Sequence, residues 1–114
     1  MKELGNNGRV ISVVICTYNR AEKLGNALTS LAALDPRPES WELLVVDNGS
    51  SDNTEAVVRD FAAPAGCRAI YVHEPRRGLA QARNRGVQES SGDIIAFTDD
   101  DCRVDRSWLA ALMR

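Results

Sequence analysis

The sequence predicts an α/β fold in which helices cover both faces of a parallel β-sheet. Four short apolar runs alternate with segments that have helical periodicity, an order that is typical of βαβ units. The apolar runs lack alternating polar residues, as expected for strands that are buried on both faces. Polar residues follow these runs directly, so groups that bind ligands should collect at one edge of the sheet.

The first half of the chain predicts two strands and two helices. β-Branched residues mark the strands, and leucines at helical spacing mark the first helix. Pro64 and Gly66 end the second helix, which a polar residue can cap at its start. In chain order, the predicted elements are a strand at Val10–Ile15, a helix at Ala21–Leu34, a strand at Leu43–Val46 and a helix from Ser51 or Asp52 to about Ala62.

The second half repeats this alternation. Gly86 falls inside the third predicted helix, where glycine is unfavourable, and this predicts close packing of that helix against a neighbour. The predicted elements are a strand at Arg68–His73, a helix at Gly78–Glu89, a strand at Asp93–Thr98 and a last helix that begins at Asp105 or Ser107.

The composition is that of one domain without a strong charge preference. A chain of 114 residues can bury roughly two-thirds of the surface that it exposes when unfolded. Its 14 basic and 16 acidic residues give a formal charge of −2. We therefore expect no nucleic-acid partner, because such proteins carry a basic surface.

The sequence carries no obvious targeting signal. Met1–Arg9 is polar, and the apolar stretches are far shorter than the ~20 residues of a membrane span. We expect residues 1–9 to be a flexible tail, and the protein to be cytoplasmic or, at full length, peripheral to the inner face of a membrane. Cys16, Cys67 and Cys102 form neither an even set nor a CxxC pair, which fits free thiols.

Three consecutive acids, Asp99, Asp100 and Asp101, follow the apolar run 94–98. Like charges at such short range raise each other's pKa unless positive charge lies between them. A divalent cation or arginine side chains would provide that charge. A plain solvated turn is the alternative, but it requires no acid triplet after a buried strand, so we favour metal or phosphate chemistry.

Two other loops end at the same predicted edge. In the segment Thr17–Arg20, Tyr18 can stack on a base or pack beneath its loop, and we expect Asn19 to cap the helix that follows. Asp47 and Asn48 follow the second strand and match the hydrogen-bonding edge of uracil or guanine. A turn followed by a helix cap is an equally good interpretation of these two residues.

Arginines follow the third strand. Arg76, Arg77 and Arg83 lie near Gly78, where a helix N-terminus favours an anion, and one of them is a candidate for holding a diphosphate. A solvated basic loop is the alternative, less favoured for Arg83. We interpret His73 as a strand-end residue and not as a ligand or base.

In this order, the segments resemble the nucleotide-binding half of glycosyltransferase family 2. The similarity covers nearly the whole chain from residue 10, and four strings at the expected separations make it specific. The strings are VISVVICTYNR (10–20), ELLVVDNGSSDNT (42–54), GLAQARNRGVQESSGDIIAFTDDDC (78–102) and VDRSWL (104–109).

The resemblance implies a GT-A fold with a Rossmann-like core. It also implies a nucleotide-diphospho-sugar donor, Mg²⁺ or Mn²⁺, and transfer with inversion to a hydroxyl of a saccharide, lipid-linked or protein acceptor. Thr17, Tyr18 and Arg20 would surround the nucleoside, and Asp47 and Asn48 would bind the base, although many relatives carry an acid in place of Asn48.

The acid triplet matches the Asp-any-Asp motif of that family. Asp101 would coordinate the metal, Asp99 would bind the ribose or sugar side, and Asp100 is the variable middle position. The complete predicted nucleotide-sugar site comprises Thr17, Tyr18, Asn19, Arg20, Asp47, Asn48, Arg83, Asp99 and Asp100. The predicted metal site comprises Asp101 and Asp99.

A general base for the acceptor is the missing component. Relatives supply it from a segment well beyond the metal motif, and Asp105 lies too close to that motif. We therefore expect residues 10–114 to be a donor-binding portion truncated at its C-terminal end, with exposed apolar surface near Trp108 or self-association. The alternative is a non-catalytic module that retains the nucleotide pocket.

Overall fold

A computed structural model describes residues 10–35 and 40–112 of the protein. The predicted tail at residues 1–9 lies outside the described residues. The elements are β1 (Ile11–Thr17), α1 (Ala21–Ala32), β2 (Trp41–Asp47), α2 (Thr54–Arg59), β3 (Cys67–His73), α3 (Leu79–Glu89), β4 (Ile94–Asp99) and α4 (Trp108–Leu112).

The strands form one parallel sheet in the order β3-β2-β1-β4. Thr17 at the end of β1 is opposite Asp47 of β2, which in turn is opposite His73 of β3. On the other side of β1, Cys16 is opposite Asp99. The carboxyl ends of all four strands therefore meet at one edge, and the predicted α/β fold is confirmed.

Helices cover both faces of the sheet. The larger core lies beneath α1, α2 and α4, which bury Leu24, Leu28, Val58 and Leu109 against one face of the strands. The smaller core lies beneath α3, which buries Ala82 against the other face. Alternate residues of each central strand enter opposite cores, which explains the unbroken apolar runs of the sequence.

Gly86 lets α3 approach the sheet closely. A Cβ atom at this position would lie 2.6 Å from Cγ1 of Val14, well inside van der Waals contact. The prediction of close packing at this glycine is confirmed.

Every element has a bound that lies one to three residues from its prediction; the last helix, for example, begins at Trp108 instead of Asp105 or Ser107. The contacts explain two of these differences. β2 begins at Trp41 instead of Leu43, because Glu42 is buried and accepts a hydrogen bond from Ser12 of β1, which keeps this polar position within the sheet. α2 ends at Arg59 instead of near residue 62, since the chain turns there and Phe61 packs against the larger core.

Exposed apolar side chains occur on both faces. Near the chain's last described helix, Trp108 is half-buried and Leu109 is fully buried, while Leu112 is 48% exposed. The remaining exposed large apolar side chains in the described ranges are Tyr18, Leu79, Val87 and Phe97. No helix in the described part of the chain is long and apolar enough to cross a membrane.

Candidate functional site

A cavity of about 410 Å³ opens at the carboxyl edge of the sheet. The loops after β1, β2 and β4 meet there, and the first turn of α3 closes one side. Its lining residues are Cys16, Thr17, Tyr18, Arg20, Asn48, Leu79, Ala82, Asp99, Asp100 and Asp101. Six of the predicted nucleotide-sugar residues and both predicted metal ligands are thus brought together; Asn19, Asp47 and Arg83 do not line the cavity.

The acid triplet divides into one buried and two exposed carboxylates. Asp100 is 8% exposed, and its Oδ2 accepts a hydrogen bond of 2.9 Å from the Thr17 hydroxyl. Asp99 and Asp101 are exposed, and each offers an oxygen within 4.8 Å of the other and of the Cys102 sulfur. Carboxylate oxygens are the ligands that Mg²⁺ and Mn²⁺ prefer, so Asp99 and Asp101 fit such an ion.

Arg20 supplies positive charge beside the triplet. Its Nη1 lies 3.3 Å from Oδ2 of Asp101 and 3.5 Å from Oδ1 of Asp100. The Arg20 side chain is 49% exposed, so these ion pairs are accessible to solvent and contribute little stability. The positive charge of Arg20 offsets part of the negative charge of the acid triplet.

The thiols near the site are protonated at neutral pH. Burial raises the pKa of Cys16 to about 11, although Arg83 acts in the opposite direction. The pKa of the Cys102 thiol is also raised, first by burial and then by the charges of Asp101 and Asp99. Neither cysteine is therefore a ready nucleophile.

Asn19 connects two loops instead of capping α1, so the capping prediction is wrong. Its backbone is left-handed, with φ of 51°, and its Oδ1 accepts hydrogen bonds from the amides of Ser51 and Asp52. The first amide of α1, that of Ala21, donates instead to Asp52 Oδ2. The left-handed turn directs the Asn19 side chain away from the helix that follows it. This explains why Asp52, and not Asn19, accepts the hydrogen bond from the Ala21 amide.

Asp47 is a loop-holding residue that is 2% exposed. Its Oδ1 accepts hydrogen bonds from the amide and the hydroxyl of Ser50, and its Oδ2 accepts one of 2.6 Å from the Tyr71 hydroxyl. Burial, and then the bond to Asp47, raise the pKa of Tyr71. Tyr71 was not predicted, because it lies on the neighbouring strand β3. Ser50 lies three residues after Asp47, and its bonds to Asp47 form the turn that is the alternative interpretation of this segment.

Asn48 lines the cavity, and most hydrogen-bonding positions of its side-chain amide are taken by the loop after β3. Nδ2 donates to the carbonyl oxygens of Glu74 and Arg76, at 2.9 and 2.7 Å. Oδ1 accepts a hydrogen bond of 3.0 Å from the Gly78 amide. Both amide hydrogens are committed, and one acceptor lone pair of Oδ1 remains.

The arginines after β3 have separate partners. Arg83 lies over the Phe97 ring at 5.9 Å, whereas Arg77 lies over the Tyr18 ring at 4.1 Å from guanidinium carbon to centroid. Arg76 bonds to the buried Glu74, another residue that we did not predict. Glu74 lies directly after β3, at the edge where the other polar groups follow their strands. This position was the signal that could have identified it as a site residue.

The comparison with known families matches residues 12–114 to the family model "Glycosyl transferase family 2". The chain is 37% identical over 99 residues to glycosyltransferase AglE of Haloferax volcanii, covering 87% of this chain and 33% of the relative. It is 36% identical over 104 residues to the succinoglycan biosynthesis protein ExoM of Rhizobium meliloti, covering 90% and 33%. The chain thus spans about a third of the length of these curated relatives.

Solved structures show the same fold. The mannosyltransferase PcManGT from Pyrobaculum calidifontis, in complex with GDP-Man and Mn²⁺, is 32% identical, with a TM-score of 0.82 over 92% of this chain and 32% of that chain. TarS 1–349 of S. aureus, in complex with UDP, is 25% identical, with a TM-score of 0.78 over 90% and 30%. The chain belongs to glycosyltransferase family 2 and has the GT-A fold of that family.

Proposed function

We propose that this chain binds the nucleotide-diphospho-sugar donor, together with Mg²⁺ or Mn²⁺, in a glycosyltransferase that inverts the anomeric centre of the transferred sugar. The placement of Asp99 and Asp101 carries the proposal: both are exposed at one cavity, while Asp100 between them is turned inward. The bound GDP-Man and Mn²⁺ of the similar mannosyltransferase support it.

The nucleoside would lie against the loops after β1 and β2. Tyr18, which is 40% exposed at the cavity and has Arg77 over one face of its ring, offers its other face to a base. Asn48 Oδ1 offers only its remaining lone pair, so it favours a base that presents an N–H group. Uracil, through N3–H, and guanine, through N1–H, meet that requirement. Asp47 would support the loop without contacting the base.

Asp99 and Asp101 would hold the metal ion next to the diphosphate. When bound, the ion supplies Lewis-acid stabilisation of the departing nucleoside diphosphate. Thr17 holds the triplet in place by donating its hydroxyl hydrogen to Asp100. Arg20, which forms an ion pair with Asp101, would bind a phosphate oxygen through its remaining donors.

Asp101→Asn tests this assignment. Loss of the charge should reduce the gain in nucleoside diphosphate affinity that Mn²⁺ provides by about tenfold or more, a change of at least about 1.4 kcal/mol. Isothermal titration calorimetry with UDP and GDP, each with and without Mn²⁺, measures that gain. Asp60→Asn is the matched control, because Asp60 is exposed at the end of α2 and outside the cavity. An unchanged Mn²⁺ effect in Asp101→Asn would contradict the metal site.

The general base for the acceptor is not assigned to any residue of this chain. A non-catalytic module that binds the same donor is therefore the competing function. Incubation of the chain with a sugar nucleotide and Mn²⁺, followed by product analysis, tests whether these residues catalyse transfer by themselves. Sustained transfer contradicts the non-catalytic function, whereas binding without transfer is expected both for the donor-binding part of an enzyme and for a non-catalytic module.

A further inference from the structure

Glu74 is a buried carboxylate that has no part in the cavity lining. It follows β3 directly and is 1% exposed. Burying a charge is unfavourable unless hydrogen bonds and opposite charges compensate for it. The partners of Glu74 therefore indicate why an acid occupies this position.

Those partners lie on the loop after β3 and on α3. Oε2 accepts hydrogen bonds from the Arg76 amide at 2.8 Å and from Arg76 Nε at 3.2 Å, and Oε1 lies 3.3 Å from Arg85 Nη1. The Arg76 amide bond is the main reason that the pKa of Glu74 lies below its ordinary value. Glu74 is thus ionised at neutral pH and joins the loop to α3.

Asn48 holds the same loop from the cavity side. Its amide hydrogens bind the carbonyls of Glu74 and Arg76, and its oxygen binds the Gly78 amide. Gly78 has a φ of 121°, a backbone conformation that residues with a side chain rarely adopt. The segment 75–78 therefore has a backbone fixed on two sides, by Asn48 and by Glu74.

This fixed backbone carries Arg77 to the cavity. The Arg77 guanidinium lies 4.1 Å from the centroid of Tyr18, a cavity-lining ring. Arg77 stands one residue after Arg76, whose amide Glu74 binds, so the path of the loop decides where Arg77 lies. The consequence of Glu74 for ligand binding is therefore indirect.

We propose that Glu74 is a positioning residue that forms the Arg77–Tyr18 wall of the nucleotide site before the ligand arrives. This inference rests on the proposed function, since it assumes that the cavity takes a nucleoside diphosphate. A wall that is already in place avoids the entropy cost of ordering the loop during binding. Its loss should raise the dissociation constant without removing the ligand's direct contacts.

Glu74→Ala should weaken the binding of UDP or GDP with Mn²⁺ by about tenfold, as expected for lost hydrogen bonds to a charged group. Glu74→Gln should restore part of the affinity, because its side-chain oxygen still accepts from the Arg76 amide. Glu89→Ala is the matched control: Glu89 binds the same Arg85 but has no hydrogen bond or ion pair to the loop among the described residues. Affinity in Glu89→Ala should equal that of the wild type.

A double-mutant cycle separates positioning from general destabilisation. If Glu74 acts through Arg77, then Glu74→Ala should change affinity by less than twofold in an Arg77→Ala background, well below its effect alone. Equal effects in both backgrounds would overturn the proposal. Wild-type affinity in Glu74→Ala would also overturn it.

Amide hydrogen exchange without ligand tests the loop independently of nucleotide binding. The exchange rates of the Arg76 and Gly78 amides should rise in Glu74→Ala and should equal those of the wild type in Glu89→Ala. Unchanged exchange at both amides in Glu74→Ala would overturn the positioning role. Failure of the wild type to bind UDP and GDP overturns the proposed function and the nucleotide role of Glu74, whereas faster exchange in that case still shows that Glu74 orders the loop.

Discussion

The acidic side chains at the carboxyl ends of β2 and β4 divide into exposed carboxylates and buried carboxylates that hold neighbouring segments. Asp99 and Asp101 are exposed at the cavity, whereas Asp47 and Asp100 are buried and accept hydrogen bonds from hydroxyl groups. All four occur at strand ends, so their sequence positions do not distinguish them. The direction in which each side chain points, together with the hydroxyl donors nearby, decides which carboxylates are buried.

Glu42 is a buried acid at the opposite, amino end of the sheet. It accepts hydrogen bonds from the Ser12 hydroxyl at 2.6 Å and from the amide and hydroxyl of Ser91 at 2.6 and 3.0 Å. Burial acts to raise the pKa of Glu42, but these hydrogen bonds together keep it below its ordinary value. Glu42 therefore joins β1, β2 and the turn before β4 in its ionised form.

Glu42→Gln should lower the free energy of unfolding by about 1–3 kcal/mol at pH 7, as expected for lost hydrogen bonds to a charged group. Because the folded-state pKa is lowered, the contribution of Glu42 is fully present above the unfolded-state pKa and is lost as pH falls below about 4. Urea unfolding at pH 7 and pH 3 measures both effects. Glu22→Gln, at an exposed position of α1, is the control; an equal loss in both variants would contradict this role.

The helices and strands follow local pattern closely, except at their ends. Leucine spacing predicted α1, and β-branched runs predicted the strands. β2 is longer than predicted because Glu42 has a partner on β1, which its own segment does not reveal. Element type was therefore predictable, but element length depended on neighbouring elements.

Two helix-interior glycines make a matched pair for testing helix packing. At Gly86 a Cβ would lie 2.6 Å from Val14 Cγ1, whereas at Gly25 the nearest atom would be 3.9 Å away. Gly86→Ala should destabilise the protein by about 1–3 kcal/mol through overpacking. Gly25→Ala should stabilise it by up to about 1 kcal/mol, since alanine favours helix. Urea unfolding measures both changes, and stabilisation by Gly86→Ala would show that α3 can shift without cost.

The strand order β3-β2-β1-β4 brings together the polar groups at the carboxyl ends of the strands. β1 and β4 are adjacent although 76 residues lie between Thr17 and Ile94, and this adjacency brings Thr17 and Arg20 to the acid triplet. Parallel strands and right-handed crossovers predict a shared edge, but not which loops are neighbours. The cavity is a property of the assembled sheet.

Donor binding should be visible as a change in the stability of the whole domain. A nucleoside diphosphate at about 100 times its dissociation constant stabilises the folded state by about 2.7 kcal/mol, which raises Tm by on the order of 10 °C. A thermal-shift panel of nucleoside diphosphates with and without Mn²⁺ measures this effect. Uridine and guanosine, which lack the diphosphate, should give smaller shifts; equal shifts with and without the diphosphate would contradict binding at the acid triplet.

The sequence by itself determined the fold class, the positions of the elements and most of the cavity's polar residues. Apolar periodicity and strand ends are local properties, so Tyr18, Asn48 and Asp101 could be assigned to one edge without coordinates. Only the tertiary structure decided what those side chains contact. Asn48 binds the loop after β3, and Asp47 binds Tyr71 instead of facing the cavity, because strand register and the alternation of side chains along each strand select partners that are distant along the chain.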